Sequence, residues 1–166
     1  MERLLDDADT SFQSWAYWQY KFYHDYTTMN QNEAFYDRNG DLEHLKVKAL
    51  SRTYAQAIAG VPVHMAFNSK SGKFDLEYTP NLNMTKNTEI YMNTRLYYPH
   101  GYHVVLEPSG CWDTYLTGST LEVRKNAEAR PKLSQGSDCR GNVKLAISPK
   151  WWSNGEDGED TPQILV

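Results

Sequence analysis

The stretch Thr53-Tyr54-Ala55-Gln56-Ala57-Ile58-Ala59-Gly60 separates two parts of the chain that differ in pattern. Ahead of it stand an aromatic run, Ser14-Trp15-Ala16-Tyr17-Trp18-Gln19-Tyr20-Lys21, and one segment of helical periodicity; beyond it come short alternating runs joined by loops. In the aromatic run Trp15 and Tyr17 flank small Ala16 while Trp18 falls on the opposite face, which predicts an extended strand. The polar residues 27–32 predict a loop, and Asp37-Arg38-Asn39-Gly40-Asp41 predicts a turn. That turn is not a calcium loop, because Gly40 comes too early and Lys48 stands where the closing Glu belongs. Asp41 is placed to cap a helix whose apolar stripe, Leu42, Leu45, Val47, Ala49 and Leu50, runs to about Tyr54.

After Gly60-Val61-Pro62 the alternating runs cover residues 63–68, 73–78, 88–93, 102–107, 112–116, 120–124 and 143–148. Turn residues such as Ser71-Gly72, Pro108-Ser109-Gly110 and Thr117-Gly118 separate most of them, so the pattern predicts an antiparallel β-sandwich over 60–150. Residues 126–140 lack alternation and predict a long loop. The remainder, 151–166, opens with Trp151-Trp152, either a lid on the core or a lipid-facing pair, and continues as an acidic, glycine-containing tail expected to be mobile.

Composition narrows the function. The formal charge of −4, from 17 basic and 21 acidic side chains, supplies no field for a phosphate backbone, and no Lys/Arg cluster is present, so nucleic acid is excluded as a partner. Twelve Tyr and five Trp suit surfaces where apolar faces meet polar groups, as in sugar recognition, and equally suit packing in β-rich domains. No apolar run reaches the roughly 20 residues of a membrane span. Met1-Glu2-Arg3-Leu4-Leu5-Asp6-Asp7 is too acidic for a signal peptide.

Cys111 and Cys139 form an even pair, either a disulfide or two thiols, and Asn83-Met84-Thr85 is a glycosylation sequon at Asn83. Both point to an extracellular or lysosomal protein whose export signal would lie upstream. A cross-link would restrict the unfolded chain by about 3.5 kcal/mol in the loop-entropy model. His100 and His103 flank Gly101-Tyr102 in an expected turn with no third ligand, so neither a metal site nor a cofactor is expected. Neither cysteine has an adjacent base that would make it a nucleophile.

The run 14–21, followed by Tyr26-Thr27-Thr28 and Leu50-Ser51-Arg52-Thr53-Tyr54-Ala55-Gln56-Ala57-Ile58-Ala59-Gly60-Val61-Pro62, resembles the endoglycoceramidase type of glycoside hydrolase family 5. Thr88-Glu89-Ile90-Tyr91 and Leu96-Tyr97-Tyr98-Pro99 with Gly101-Tyr102 resemble that family's C-terminal domain. The resemblance implies that residues 1–59 are the last β/α unit of a TIM barrel, one strand and one to two helices, and that 60–150 are the accessory sandwich. It implies a parent enzyme that hydrolyses the oligosaccharide–ceramide bond of glycosphingolipids through a covalent intermediate. Such an enzyme needs two carboxyl groups, which the family places after the fourth and seventh barrel strands. The chain begins after both, so it is expected to hold no catalytic residue and to be inactive alone; Asp6, Asp7 and Asp9 read as the polar face of a preceding helix.

What the resemblance does carry over is the aromatic residue at the end of the last barrel strand, which flanks the sugar next to the scissile bond. Trp18 is the first candidate, Trp15 the second, and Lys21 is placed to reach polar groups of the substrate. The expected partners are a glycosphingolipid or glycan in the parent, the upstream barrel domain, and a peripheral membrane contact. Ser51-Arg52-Thr53-Tyr54 is expected to fix the contact between the two domains. The alternative is a non-catalytic sandwich that binds glycans or lipids. A strand such as 14–21 argues against it, since such a strand needs the rest of a barrel to close.

Overall fold

A computed structural model describes residues 1–21, 23, 26, 33–127, 139 and 141–150. Eight strands form two antiparallel four-stranded sheets: β1 (Tyr54–Ala57), β2 (Gly60–Phe67), β3 (Phe74–Pro80), β4 (Thr88–Tyr91), β5 (Tyr102–Glu107), β6 (Trp112–Thr117), β7 (Thr120–Lys125) and β8 (Val143–Pro149). One sheet runs β1-β4-β7-β6 and the other β2-β3-β8-β5. Seven of these strands fall on the runs of alternating sequence.

The alternation explains the sandwich. Phe74, Leu76 and Tyr78 of β3 point inward and pair across the sheet with Ile147, Leu145 and Val143 of β8, all six buried. Ile90 and Thr88 of β4 stand opposite Leu121 and Val123 of β7 and close the core from the other sheet. Side chains of period two thus give each sheet one apolar face, and the two faces meet.

Cys111 and Cys139, both buried, are joined by a disulfide with their Cα atoms 5.7 Å apart, which ties the chain after β7 to the start of β6. Gly60 opens β2 where a Cβ would fall against the Thr79 carbonyl oxygen, a close approach only glycine permits.

Three details depart from the sequence reading. The helix expected from Asp41 to about Tyr54 is α2, only His44–Leu50, with Glu43 at its N-cap. Asp41 instead closes the preceding turn: its N–H donates to Asp37 Oδ1 at 2.9 Å and its carbonyl accepts from Asp37 N at 2.9 Å. Second, Tyr54, where the helix was expected to end, opens strand β1, which pairs with β4 through Tyr54–Tyr91 and Ala55–Ile90, so sheet structure begins ahead of residue 60. The local pattern Tyr-Ala-Gln-Ala is neutral between helix and strand, and pairing with β4 decides it.

Third, residues 14–21 form no strand ladder. The last strand of a barrel has its hydrogen-bonding partners in the barrel; among the described residues the segment bonds to residues 33–35, where Gln19 N donates to Glu33 O at 3.2 Å and Phe35 N to Tyr20 O at 3.1 Å. The expected loop 27–32 and tail 151–166 lie outside the described residues, as does most of the loop 126–140.

Helix α1 (Glu2–Thr10) turns Leu5, Ala8 and Asp9 inward, a one-face spacing of three and four residues, and packs on β2. Its end is a Schellman turn: Gln13 N donates to Ala8 O at 2.8 Å and Phe12 N to Asp9 O at 3.1 Å. Phe12 occupies the left-handed position, φ 52°, usually left to glycine, and its ring packs against the sandwich core. A short helix α3 (Thr94–Tyr97), capped by Asn93 Oδ1 accepting from Leu96 N, completes the described elements. Among the described residues no helix is long and apolar enough to cross a membrane.

Candidate functional site

The chain leaves the Schellman turn at Gln13 and enters the aromatic segment. Tyr17 stacks on Phe35 with ring centroids 5.3 Å apart, and Tyr20 meets Phe35 and Tyr36 edge-on at 6.5 and 5.5 Å. These rings anchor the segment against residues 33–36. The peptide bond between Trp18 and Gln19 is cis. Gln19 is buried, whereas Trp18 stands 60% exposed. A flat indole held on a fixed backbone offers apolar area to the C–H face of a pyranose while the sugar hydroxyls remain free to bond at its rim.

Trp15 is placed elsewhere. It lines a cleft of about 570 Å³ between the end of α1, the end of α2 and edge strand β1, together with Arg52, Tyr54, Gln56 and Tyr91. Tyr54 and Tyr91, cross-strand partners, bring their rings to 5.5 Å. Trp18 is not part of this cleft. Lys21 is exposed and its Nζ lies 5.2 Å from the centre of the Tyr23 ring. The structure therefore does not gather Trp15, Trp18 and Lys21 into one pocket.

Beneath the cleft lies the joint between the two parts of the chain. Arg52, 1% exposed, donates from Nε to Asp9 Oδ2 at 2.8 Å and from Nη2 to Asp6 Oδ1 at 2.6 Å and Phe67 O at 2.9 Å. Its guanidinium also lies 5.1 Å from the centre of the Phe67 ring. One side chain thus links α1 to β2. Burial pushes the Asp9 carboxyl above its usual range, against the opposing pull of Arg52. Desolvation outweighs attraction, as is common for buried ion pairs.

Two tyrosines complete the joint. Tyr97 donates its hydroxyl to the Lys48 carbonyl at 2.6 Å, and Tyr98 donates to the Gly72 carbonyl at 3.0 Å while sharing a 2.9 Å hydrogen bond with Thr53 Oγ1. Burial pushes both phenols up to about 12. Of residues 51–54, expected to fix a contact between two domains, Arg52 ties α1 to β2 and Thr53 bonds to Tyr98. The role of Asp9, the partner of Arg52, escaped the sequence reading, which placed it on the polar face of a helix. A signal was present, since Asp9 shares the spacing of Leu5 and Ala8 on the inward side.

A second cleft, of about 830 Å³, lies between the β3–β4 loop and β7, lined in part by Leu82, Asn83, Lys86, Trp112 and Arg124. Asn83 and Thr85 are exposed there. Nothing in the sequence had pointed to it beyond the sequon.

The described residues thus form a β-sandwich clasped to the short elements ahead of it, with Trp15 and Trp18 both exposed on that side. The chain belongs to the family described as the glycoside hydrolase family 5 C-terminal domain, whose model matches residues 52–134. It is 33% identical over 141 residues to an endoglycoceramidase of Cyanea nozakii, covering 82% of this chain and 27% of that protein. It is likewise 33% identical over 111 residues to an endoglycoceramidase of Hydra vulgaris, covering 66% of this chain and 21% of the relative. The chain thus spans about a quarter of the length of the curated relatives it matches. Among solved structures, endo-glycoceramidase II from Rhodococcus sp. superposes with a TM-score of 0.63 at 22% identity over 90% of this chain and 29% of the other. Cryptococcus neoformans sterylglucosidase 1 superposes with a TM-score of 0.64 at 15% identity, covering 87% of this chain and 23% of the other. At these identities the superpositions speak to fold alone.

Proposed function

We propose that this chain is the C-terminal portion of an endoglycoceramidase-like glycoside hydrolase, whose whole form hydrolyses the oligosaccharide–ceramide bond of glycosphingolipids. The observation that carries this reading is the extent of the likeness. An alignment covering 82% of the chain cannot be contained in the sandwich and must take in part of the N-terminal segment. A free-standing binding module has no use for that segment.

Within this reading the chain supplies support and one wall of the sugar subsite, not the acid/base or the nucleophile. Retaining hydrolysis uses two carboxyl groups about 5 Å apart on either side of the bond. Of the acidic residues of α1, Asp6 and Asp9 are both bound to Arg52, and Asp9 is buried. Trp18 flanks the sugar, with Lys21 reaching polar groups beyond it and Trp15 serving the joint. The parent acts in an extracellular or lysosomal compartment, and its contact with lipid has candidates in Val61, Val63 and Val105, exposed on edge strands β2 and β5.

The test is an immunoblot of source tissue with an antibody against residues 61–150, followed by assay of the immunoprecipitate on a glycosphingolipid. A band several times larger than 19.2 kDa that releases intact ceramide and free oligosaccharide supports the reading. A single band at 19.2 kDa without hydrolysis overturns it, and binding of glycans and lipids then becomes the function to measure.

A further inference from the structure

The β3–β4 loop carries a feature that neither catalysis nor the interdomain joint uses. Its Asn83-Met84-Thr85 is the single Asn-X-Ser/Thr sequence in the chain. Asn81 Oδ1 accepts from Asn83 N at 3.1 Å and Asn81 O accepts from Met84 N at 3.1 Å, so the loop turns at Asn83. Lys125 then pins it from β7, donating from Nζ to the Leu82 carbonyl at 2.5 Å and the Met84 carbonyl at 3.1 Å. The result is a fixed protrusion whose backbone is engaged and whose functional side chains are not. Asn83 and Thr85 are both exposed, and the Asn83 carboxamide makes no hydrogen bond to the described residues. Neighbouring Asn87 shows the contrast: its Nδ2 donates to Glu122 Oε2 at 2.9 Å.

We propose that Asn83 carries an N-linked glycan whose first sugars lie along the cleft between this loop and β7. The sequon supplies the chemistry: Thr at the second following position presents a hydroxyl to the transferring enzyme, and the exposed amide is the acceptor. The co-reactant is a lipid-pyrophosphate-linked oligosaccharide. Asn83 Nδ2 forms a bond to the anomeric carbon of its first N-acetylglucosamine as the bond from that carbon to the pyrophosphate oxygen breaks. The lipid pyrophosphate leaves with the electron pair, and the amide nitrogen gives up one proton. The buried Cys111–Cys139 disulfide is what a chain folded in the same oxidising compartment acquires.

The cleft matches what would cover it. Leu82, Trp112 and Val123 supply apolar floor, and Lys86 and Arg124 stand among its polar groups. Trp112 is buried and its Nε1–H has no partner among the described residues. Sugars seated here would meet both kinds of surface.

The experiment takes the protein isolated from its own tissue, treats it with a peptide N-glycosidase in heavy-oxygen water, and reads the Asn83 peptide by mass spectrometry. Conversion of Asn83 to labelled aspartate, with a downward mobility shift of the intact protein, is expected. The expressed, secreted full chain is compared with N83Q, T85A and T85S, with disulfide formation monitored in each. N83Q and T85A should lose the shift and T85S should retain it, with the disulfide formed throughout. An Asn83 peptide recovered wholly unmodified overturns the proposal whatever the state of the cysteines, and a shift that survives N83Q overturns it as well. Neither result touches the glycosidase reading, which rests on the hydrolysis assay.

Discussion

Arg52 holds Asp9 across the boundary between the two parts of the chain: the pair is separated by 43 positions in sequence, joined at 2.8 Å, and almost wholly removed from water. Asp6 joins the same guanidinium from a side chain 52% exposed, so solvent screens it. Replacing Asp9 by Ala leaves a buried guanidinium without its main partner and is expected to cost about 3–5 kcal/mol of stability. Asp6→Ala is expected to cost no more than about 1 kcal/mol. Urea unfolding of the two variants checks the ranking. The double replacement R52M/D9L should recover part of the loss, because apolar partners need no compensation, though the Phe67 carbonyl would remain unpaired. Equal costs for Asp6→Ala and Asp9→Ala would mean that the buried pair does not hold the joint.

The tyrosines of the joint give it a pH limit on the alkaline side. Folded Tyr97 and Tyr98 are raised to about 12 from an ordinary value of 10.0, by burial first, with Arg52 opposing for Tyr97 and the Thr53 hydrogen bond opposing for Tyr98. A folded value above the unfolded one means stability fully present below pH 10 and lost as pH rises toward 12. Ultraviolet titration should show these two phenols ionising late, together with loss of tertiary signal. Tyr98→Phe removes the late group and two hydrogen bonds, so it should lower stability at neutral pH while flattening its alkaline decline. An alkaline decline of unchanged steepness would separate the limit from Tyr98.

How far the sequence reached follows from where each element finds its partners. The strands of the sandwich pair with one another within the chain, so period-two runs such as Phe74-Asp75-Leu76-Glu77-Tyr78 were sufficient to place them. Strand β1 was missed because Tyr54-Ala55-Gln56-Ala57 has no marked alternation, and its identity comes from Ile90 and Tyr91 beside it. Residues 14–21 show the reverse case. Their pattern is that of a strand, but a barrel strand takes its ladder from neighbours that come earlier in a barrel, and the pattern alone does not supply them. For the candidate site, Trp18 was singled out by the family resemblance of its run and not by periodicity, and its indole is exposed. The cleft around Trp15 was not legible, because Tyr54 and Tyr91 meet only after two distant strands pair.

Removing the disulfide tests the sandwich by itself. Cys111 and Cys139 close a loop spanning 28 positions, which in the chain-entropy model stabilises the fold by about 3.5 kcal/mol. C111S/C139S should therefore shift the urea midpoint of the sandwich strongly downward while far-ultraviolet circular dichroism at low denaturant remains that of a β protein. The core pairs Phe74–Ile147 and Leu76–Leu145 do not depend on the cross-link. A variant that is unfolded without denaturant would show that the loop, rather than the paired sheets, decides whether this domain folds.

The aromatic segment separates a binding role from a packing role, because its two tryptophans differ in setting. Trp18 is 60% exposed, so truncating it to Ala in the full-length parent should leave thermal stability almost unchanged. If it covers one face of a sugar, the loss withdraws about 1.5–3 kcal/mol of apolar contact, and kcat/KM should fall roughly tenfold to a hundredfold. Trp15 is 37% exposed and faces Arg52 and Tyr54 in the cleft, so Trp15→Ala should lower stability with a smaller effect on turnover. Steady-state kinetics and thermal unfolding of both variants give the four numbers needed. Unchanged kcat/KM in a folded Trp18→Ala enzyme would remove that residue from the subsite, and a loss confined to Trp15→Ala would move the sugar wall into the cleft beside Tyr54 and Tyr91.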